Sequence, residues 1–181
     1  RHVVDLLLTR LSAGALVLDV GCGTWLPTAL QLATAGCEVT GIDISPVMID
    51  HARRNVPEAN FLLRDALSVD TDLGSFQAVV AFFSLLMLPR DQIVRTLTRL
   101  RQVITPGGWL AVSMVEADFD DFELPFLAQS VRLTGWPRGQ LRQVVEDAGF
   151  TIDVEDVRSY TPATAEAAEE VQLFLLAQRA E

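Results

Sequence analysis

The hydrophobic positions of this chain alternate between short continuous runs and stretches with helical spacing. Short, mainly apolar runs at residues 15–20, 38–42, 60–63 and 76–83 predict strands, and the first run, apolar except for Asp19, predicts burial on both faces. Between these runs, apolar residues recur every three or four positions, which predicts amphipathic helices. Such an alternation is typical of an α/β domain with a mainly parallel sheet.

The rest of the chain continues this pattern with one interruption. We predict helices at residues 3–11, 27–35, 46–54, 91–103 and 137–148. We predict further strands at residues 109–115, 150–157 and 171–178. A tight turn at 105–108 should lead into the first of these strands, whereas residues 116–135 show neither spacing and are predicted to be irregular. The expected result is seven strands in a single domain, 1–181.

A glycine-rich turn follows the first predicted strand. In Asp19-Val20-Gly21-Cys22-Gly23, the glycines allow a ligand to approach the backbone, because they carry no Cβ. The N–H groups at the start of the following helix are available to polar parts of a ligand. The carboxylate of Asp19 suits a cationic amine, directly or through water, and S-adenosylmethionine carries such an amine.

Two more carboxylates follow the next two predicted strands. Asp43 lies about twenty residues beyond the turn, where an acid accepts hydrogen bonds from ribose hydroxyls in dinucleotide folds. Asp65 follows the third strand, where an adenine amino group could be bound. Each acid alone is readily explained as a helix cap or turn former. Together, at successive strand ends, the three acids are expected to line one crevice at the carboxyl edge of the sheet.

These motifs resemble those of the class I S-adenosylmethionine-dependent methyltransferases. The likeness is carried by residues 17–24, 39–45, 63–66, 76–81, 84–89, 100–108 and 145–150. It implies a Rossmann-like α/β fold, whose seven-stranded, mainly parallel sheet has helices on both faces and an antiparallel last strand. It also implies S-adenosylmethionine as cofactor and methyl transfer to a small-molecule acceptor.

The resemblance further implies a set of cofactor-binding residues. In chain order these are Asp19, Gly21, Cys22, Gly23, Asp43, Ile44, Met48, Asp65, Ala66, Ala81 and Phe82. The glycines would lie against the methionine portion, and Asp43 would hold the ribose. Ile44 and Met48 would flank the adenine, whose edge Asp65 and Ala66 would face. Backbone near Ala81 and Phe82 would meet the amino group of the cofactor.

The chain departs from the family pattern at two informative positions. Trp25 occupies the third position of the glycine motif, where most relatives have glycine. Pointing outward it would be harmless, whereas pointing inward it would crowd the methionine arm or line the substrate entrance. Met87 stands where close relatives often carry histidine, which removes a candidate base. We therefore assign no catalytic residue, and a domain that binds the cofactor without catalysis remains an alternative.

A nicotinamide-dependent oxidoreductase is a second alternative. That class expects a third glycine at position 26, where Leu26 stands. It also leaves Asp19 and the Pro-Gly-Gly turn unexplained. Leu26 at this position, Asp19 and the Pro-Gly-Gly turn therefore favour the methyltransferase interpretation.

Composition narrows the range of partners. The 14 basic residues are all arginines and the formal net charge is −10, which argues against nucleic-acid substrates. No apolar run approaches the roughly 20 residues that cross a bilayer, so we expect no membrane association. Cys22 and Cys37 show neither a disulfide framework nor metal-ligand spacing, and a reducing cytoplasm is the expected location. Since the chain opens on Arg1 rather than Met, we expect it to be part of a longer protein.

Several charged residues are candidates for function or for a solvated surface. Residues 116–136 interleave acids with aromatics, and we predict either a solvated face or a flap over the acceptor site. Glu116 could bind substrate, although a solvated loop acid is the simpler interpretation. His51 is expected on a helix surface. The same holds for the arginines on or beside one helix, Arg90, Arg95, Arg99 and Arg101.

Overall fold

Parallel strands form most of the main sheet. A computed structural model describes residues 2–57, 59–126, 129–161 and 170–180. Its strands are β1 (Leu16–Val20), β2 (Glu38–Asp43), β3 (Asn60–Leu63), β4 (Phe76–Phe82), β5 (Ile104–Val115), β6 (Phe119–Phe126), β7 (Gln129–Gly135), β8 (Phe150–Tyr160) and β9 (Glu170–Arg179). Seven of them form one sheet in the order β3-β2-β1-β4-β5-β9-β8.

The direction of the strands confirms the expected fold class. Parallel pairs run from β3 through β2, β1 and β4 to β5. The last strand, β9, is antiparallel to both of its neighbours, β5 and β8. The chain order reverses direction across the sheet at β1 and β4, so a crevice opens beyond the carboxyl ends of these two strands.

Helices cover both faces of this sheet. They are α1 (His2–Leu8), α2 (Thr28–Thr34), α3 (Pro46–Asn55), α4 (Arg90–Val103) and α5 (Arg138–Asp147). One apolar core lies between the sheet and α1, α2 and α3, and a second lies between the sheet and α4 and α5. In the described parts of the chain, no helix is long and apolar enough to cross a membrane.

Strand β5 begins earlier than the sequence predicts. Phe76 pairs with Ile104 and Ala78 pairs with Trp109, so residues 105–108 bulge out opposite the single residue Gln77. Gly107 has a φ of +73°, a left-handed conformation that glycine adopts without strain. The predicted turn is therefore a bulge inside the strand pairing.

Residues 116–135, predicted to be irregular, form a hairpin instead. Strands β6 and β7 pair antiparallel, with Phe122 opposite Leu133 and Leu124 opposite Val131. The register shifts between Phe119 and Phe122, and Asp121 in this bulge has a φ of +48°. Because a bulge breaks the alternation of apolar and polar residues, the pattern along the chain did not indicate a strand.

Arg90 attaches this hairpin to the body of the domain. Its side chain donates hydrogen bonds to the Asp118 carboxylate at 2.8 Å and to the Gly135 carbonyl at 2.7 Å. Its guanidinium lies 4.5 Å from the centre of the Trp136 ring. The expectation of a fully solvated arginine surface is therefore wrong for Arg90, and also for Arg101, whose Nε bonds the Gly149 carbonyl.

We predict that Arg90→Gln destabilises the fold by about 1–3 kcal/mol, because a half-buried cation–π contact and charge-assisted hydrogen bonds are lost. Urea unfolding measures this change. Arg95→Gln is the matched control on the same helix: its ion pair with Asp91 is exposed, so we expect a loss of at most about 0.5 kcal/mol. Equal effects of the two substitutions would contradict the attachment through Arg90.

Candidate functional site

Three aspartates lie close to the carboxyl ends of three neighbouring strands, at one edge of the sheet. Asp19 lies within β1, Asp43 ends β2 and Asp65 follows β3. Their strands are parallel neighbours, since β1 pairs with β2 and β2 pairs with β3. The fold therefore brings the three acids to one edge, as the sequence predicts.

The glycine turn is fastened to the end of β2. The N–H groups of Gly21 and Cys22 both donate to the Ile42 carbonyl, at 2.8 and 2.9 Å. The N–H of Gly23 donates to Asp43 Oδ2 at 2.9 Å, while Ser45 N–H donates to Asp43 Oδ1 at 2.8 Å. These N–H groups are already bonded inside the protein, so they are not free donors for a ligand in the crevice.

The two glycines of the turn are needed for different reasons. Both have positive φ, +72° for Gly21 and +53° for Gly23. A Cβ on Gly21 would lie 2.3 Å from the Cβ of Ser84, so the turn packs directly on the segment after β4. A Cβ on Gly23 would meet no atom within 4 Å and would project into open space. Gly23 therefore leaves room that a ligand can use.

Asp19 is a buried acid. Only 6% of its surface is exposed, and among the described residues no group donates a hydrogen bond to its carboxylate. Burial, together with the smaller effect of the negative charge of Asp43, raises the pKa of Asp19 to about 7. A cationic group beside Asp19 would oppose both effects.

Two cavities open along this edge. The first, which we call the loop cavity, has a volume of about 540 Å³ and lies between the glycine turn, α1, α2 and Phe174. The second, the strand-end cavity, has a volume of about 430 Å³ and lies at the ends of β2 and β3. Gly21 and Phe83 line both cavities, so the two spaces adjoin at these residues.

The structure distributes the sequence-predicted residues between these cavities. The loop cavity is lined by Asp19, Gly21, Cys22, Gly23, Met48 and Phe82. The strand-end cavity is lined by Gly21, Asp43, Ile44, Asp65 and Ala66. Ala81 is fully buried and lines neither cavity, so only its backbone is available for the predicted contact. The binding roles of these residues remain predictions.

Two of these residues have local structural roles as well. Asp65 Oδ1 accepts a hydrogen bond from Leu67 N–H at 2.9 Å and so caps a short 3₁₀ turn, Ala66–Ser68. Met48 lines the loop cavity, whereas Ile44 lines the strand-end cavity. The two residues therefore line different cavities, although the sequence predicts that both flank one adenine ring.

Trp25 points inward, into the core. It is 1% exposed, and its ring meets Phe61 edge-on, with centroids 5.0 Å apart. Its φ of +75° retains the left-handed conformation that glycine would favour here. Trp25 also lines the loop cavity. The indole is therefore accommodated in the core between the sheet and helices α1, α2 and α3.

Two further candidates from the sequence, Glu116 and His51, line neither of the two cavities. Glu116 pairs with Arg138, with 2.7 Å between its Oε2 and the guanidinium, which holds the pKa of Glu116 below its usual value. His51 is exposed on α3, as expected. Burial and nearby acids raise the pKa of the Cys22 thiol to about 12, so this thiol is a poor nucleophile. In the described parts of the chain, no cluster of acids, histidines and cysteines could hold a metal ion.

Sequence reasoning missed many of the lining residues. They include the apolar or small residues Val3, Val4, Phe83, Ser84, Leu88 and Phe174, and the polar residues Gln31 and Arg64. Phe83 follows the β4 motif and Phe174 lies on the last strand, so they meet only through the fold. The left-handed backbone conformation of Phe83, with a φ of +52°, leaves no signal in the sequence.

Comparison with known proteins agrees with this geometry. A family model described as a methyltransferase domain matches residues 17–108. An O-methyltransferase of Penicillium expansum is 31% identical over 155 residues, which cover 80% of this chain and 55% of that protein. The chain spans about half the length of the curated relatives it matches.

Solved structures share the fold. A SAM-dependent methyltransferase from Methanosarcina mazei superimposes with a TM-score of 0.82 at 20% identity, covering 97% of each chain. Magnesium protoporphyrin IX methyltransferase from Synechocystis, solved with bound SAM, gives a TM-score of 0.77 at 22% identity, covering 99% of this chain and 77% of the other. With the family model matching just over half of the sequence, the chain belongs to the class I S-adenosylmethionine-dependent methyltransferase family.

Proposed function

We propose that this chain binds S-adenosylmethionine and transfers its methyl group to a small-molecule acceptor. The observation that carries the proposal is the buried Asp19 carboxylate, which receives no hydrogen bond from the described residues and lines the loop cavity together with Gly23. A cationic amine at this position would stabilise the ionised carboxylate, whose charge is otherwise disfavoured by burial. Family membership and the SAM-bound relative support the choice of cofactor.

In this proposal the cofactor extends across both cavities. The loop cavity holds the methionine portion, with its amine at Asp19. The strand-end cavity holds the adenosine, with the ribose at Asp43 and the adenine near Ile44 and Asp65. Although Asp43 already accepts two backbone N–H bonds, each carboxylate oxygen has a second acceptor site for a ribose hydroxyl.

The cofactor, when bound, supplies an already activated methyl group. The residues of this chain then have to align the acceptor and exclude water. Apart from the three aspartates, which this proposal assigns to the cofactor, the described residues that line the two cavities include no histidine, lysine, glutamate or tyrosine that could act as a general base. This composition favours an acceptor whose nucleophile needs no general base from these residues.

The nature of the acceptor is proposed from charge. A domain with a net charge of −10 lacks the attraction for phosphates on which nucleic-acid binding depends, so we favour a small molecule. The cytoplasmic location stays a prediction from cysteine usage. The role of residues 116–136 as a flap also stays a proposal: the hairpin packs against the 3₁₀ turn Leu85–Met87, and Met87 lines the strand-end cavity.

Two acids of the proposed flap already form ion pairs with arginines. Asp118 and Asp121, two of the acids expected to attract a cationic acceptor, pair with Arg90 and Arg132. A cationic acceptor would have to compete with these arginines. The hairpin would therefore border the acceptor side through its shape rather than through free negative charge.

Calorimetric titration tests the cofactor assignment directly. We expect S-adenosylmethionine to bind and NAD to bind far more weakly; the reverse order would exclude the proposal. Conversion of S-adenosylmethionine to S-adenosylhomocysteine in the presence of small acceptors then tests catalysis. Binding without turnover of any acceptor, in the full-length protein, would favour a cofactor-binding domain that does not catalyse.

We predict that Asp43→Asn weakens S-adenosylmethionine binding at least about tenfold, because a charged acceptor for the ribose hydroxyls is lost. Adenosine and 2′,3′-dideoxyadenosine, measured as competitors, separate this effect from a disturbed glycine turn. The unaltered protein should prefer adenosine, and Asp43→Asn should abolish that preference. Equal weakening of both competitors would assign Asp43 a structural role only. Asp153→Asn, on an exposed acid paired with Arg10, is the matched control.

We predict that Asp19→Asn weakens S-adenosylmethionine binding about 10- to 100-fold, because a charge-assisted hydrogen bond is lost. The affinity for 5′-methylthioadenosine, which lacks the amino-acid portion, should stay unchanged. Both affinities are measured by calorimetry at pH 8. A parallel loss of both would show that Asp19 does not contact the amine.

We also predict that Asp19→Asn stabilises the cofactor-free protein at pH 8, by up to about 4 kcal/mol. The pKa of Asp19 is raised by folding from 3.8 to about 7. The folded protein therefore binds a proton that the unfolded chain has lost, and the stability of the unaltered protein falls as the pH rises from 4 to 7. Urea unfolding at pH 4 and pH 8 should show the advantage of Asn only at the higher pH. An advantage of equal size at both would contradict the raised pKa.

A further inference from the structure

The loop cavity and the strand-end cavity share two lining residues. Of the described residues that line either space, only Gly21 and Phe83 line both. A Cβ on Gly21 would lie 2.3 Å from Ser84, so the turn packs against Ser84 and contributes no side chain to the junction. Phe83 is therefore the side chain that stands where the two cavities meet.

The backbone of Phe83 is held in an uncommon conformation. Its φ is +52°, in the left-handed region that non-glycine residues seldom adopt. Its N–H donates to Ser113 Oγ at 2.9 Å and to the Ser113 carbonyl at 3.3 Å. Ser113 is fully buried on β5. Such a conformation persists only when its surroundings impose it, and residues of this kind cluster at functional sites.

The ring of Phe83 packs against a second aromatic ring. Phe174 meets it edge-on, with ring centroids 5.5 Å apart and an interplanar angle of 90°. Phe174 is in turn placed by Phe82, at 6.0 Å, and by the guanidinium of Arg158, at 6.0 Å from its centroid. These contacts fix the orientation of an aromatic ring at the junction of the cavities.

We infer that Phe83 recognises the sulfonium of S-adenosylmethionine through its aromatic ring. The inference rests on the proposed function, in which the amine lies at Asp19 and the ribose at Asp43. The sulfur atom joins these two portions of the cofactor, so it belongs at the junction that Phe83 lines. An aromatic ring attracts a cation placed over its face.

This attraction distinguishes the cofactor from its product. The sulfur of S-adenosylmethionine carries a positive charge, whereas S-adenosylhomocysteine, which has lost the methyl group, is a neutral thioether at that atom. The amine and the adenosine are the same in both molecules. A contact with the sulfonium therefore favours S-adenosylmethionine selectively, while the acids at either end hold both molecules alike.

The ratio of the two affinities tests the inference. Dissociation constants for S-adenosylmethionine and S-adenosylhomocysteine are measured by calorimetry on the unaltered protein, Phe83→Leu and Phe83→Tyr. We expect Phe83→Leu to weaken S-adenosylmethionine binding about three- to tenfold and to change S-adenosylhomocysteine binding by no more than about twofold. Phe83→Tyr retains the ring and should retain the ratio.

Tyr160→Leu is the matched control, because Tyr160 is an exposed aromatic residue on β8 that lines neither cavity. It should leave the ratio of affinities unchanged. An equal loss of both affinities in Phe83→Leu would overturn the inference and leave the proposed function standing. Failure of the unaltered protein to bind either molecule would overturn both. Should circular dichroism show Phe83→Leu to be unfolded, Phe83→Met supplies the same comparison.

Discussion

The hydrogen bonds of the Asp43 carboxylate hold the functional edge of this protein together. One oxygen accepts the N–H of Gly23 from the turn after β1, and the other accepts the N–H of Ser45 at the start of α3. With the Ile42 carbonyl accepting the N–H groups of Gly21 and Cys22, the turn lies across the end of β2. These hydrogen bonds set the position of the glycine turn relative to the end of β2 and the start of α3.

One consequence is electrostatic. Because the turn folds over the end of β1, Asp19 is buried beneath it, close enough to Asp43 for the two negative charges to interact. Burial and repulsion both favour the protonated form of Asp19, and no described donor opposes them. Ionisation of Asp19 is therefore unfavourable in the cofactor-free protein, and a cationic ligand beside Asp19 would make it favourable.

The opposite wall of the crevice is arranged by contacts from distant parts of the chain. Ser113 on β5 fixes the backbone of Phe83, and Phe174 on β9 fixes its ring. On the outer side, Arg90 joins the start of α4 to the hairpin at Asp118 and Gly135. The site therefore lies between the glycine turn, which local hydrogen bonds hold in place, and the aromatic side chains of Phe83 and Phe174, which the pairing of distant strands brings together.

The sequence by itself determined the five helices and the seven strands of the main sheet along the chain, the glycine turn and the placement of Asp19, Asp43 and Asp65 at one sheet edge. These features depend on local periodicity and on the rule that parallel strands end at the same edge. Only the tertiary structure decided that residues 116–135 form a hairpin, because a bulge at Asp121 interrupts the alternation of side chains. It also decided that Trp25 packs inward and that Phe83 stands between two cavities. Both outcomes depend on left-handed backbone angles and on partners far away in the sequence, which no local pattern records.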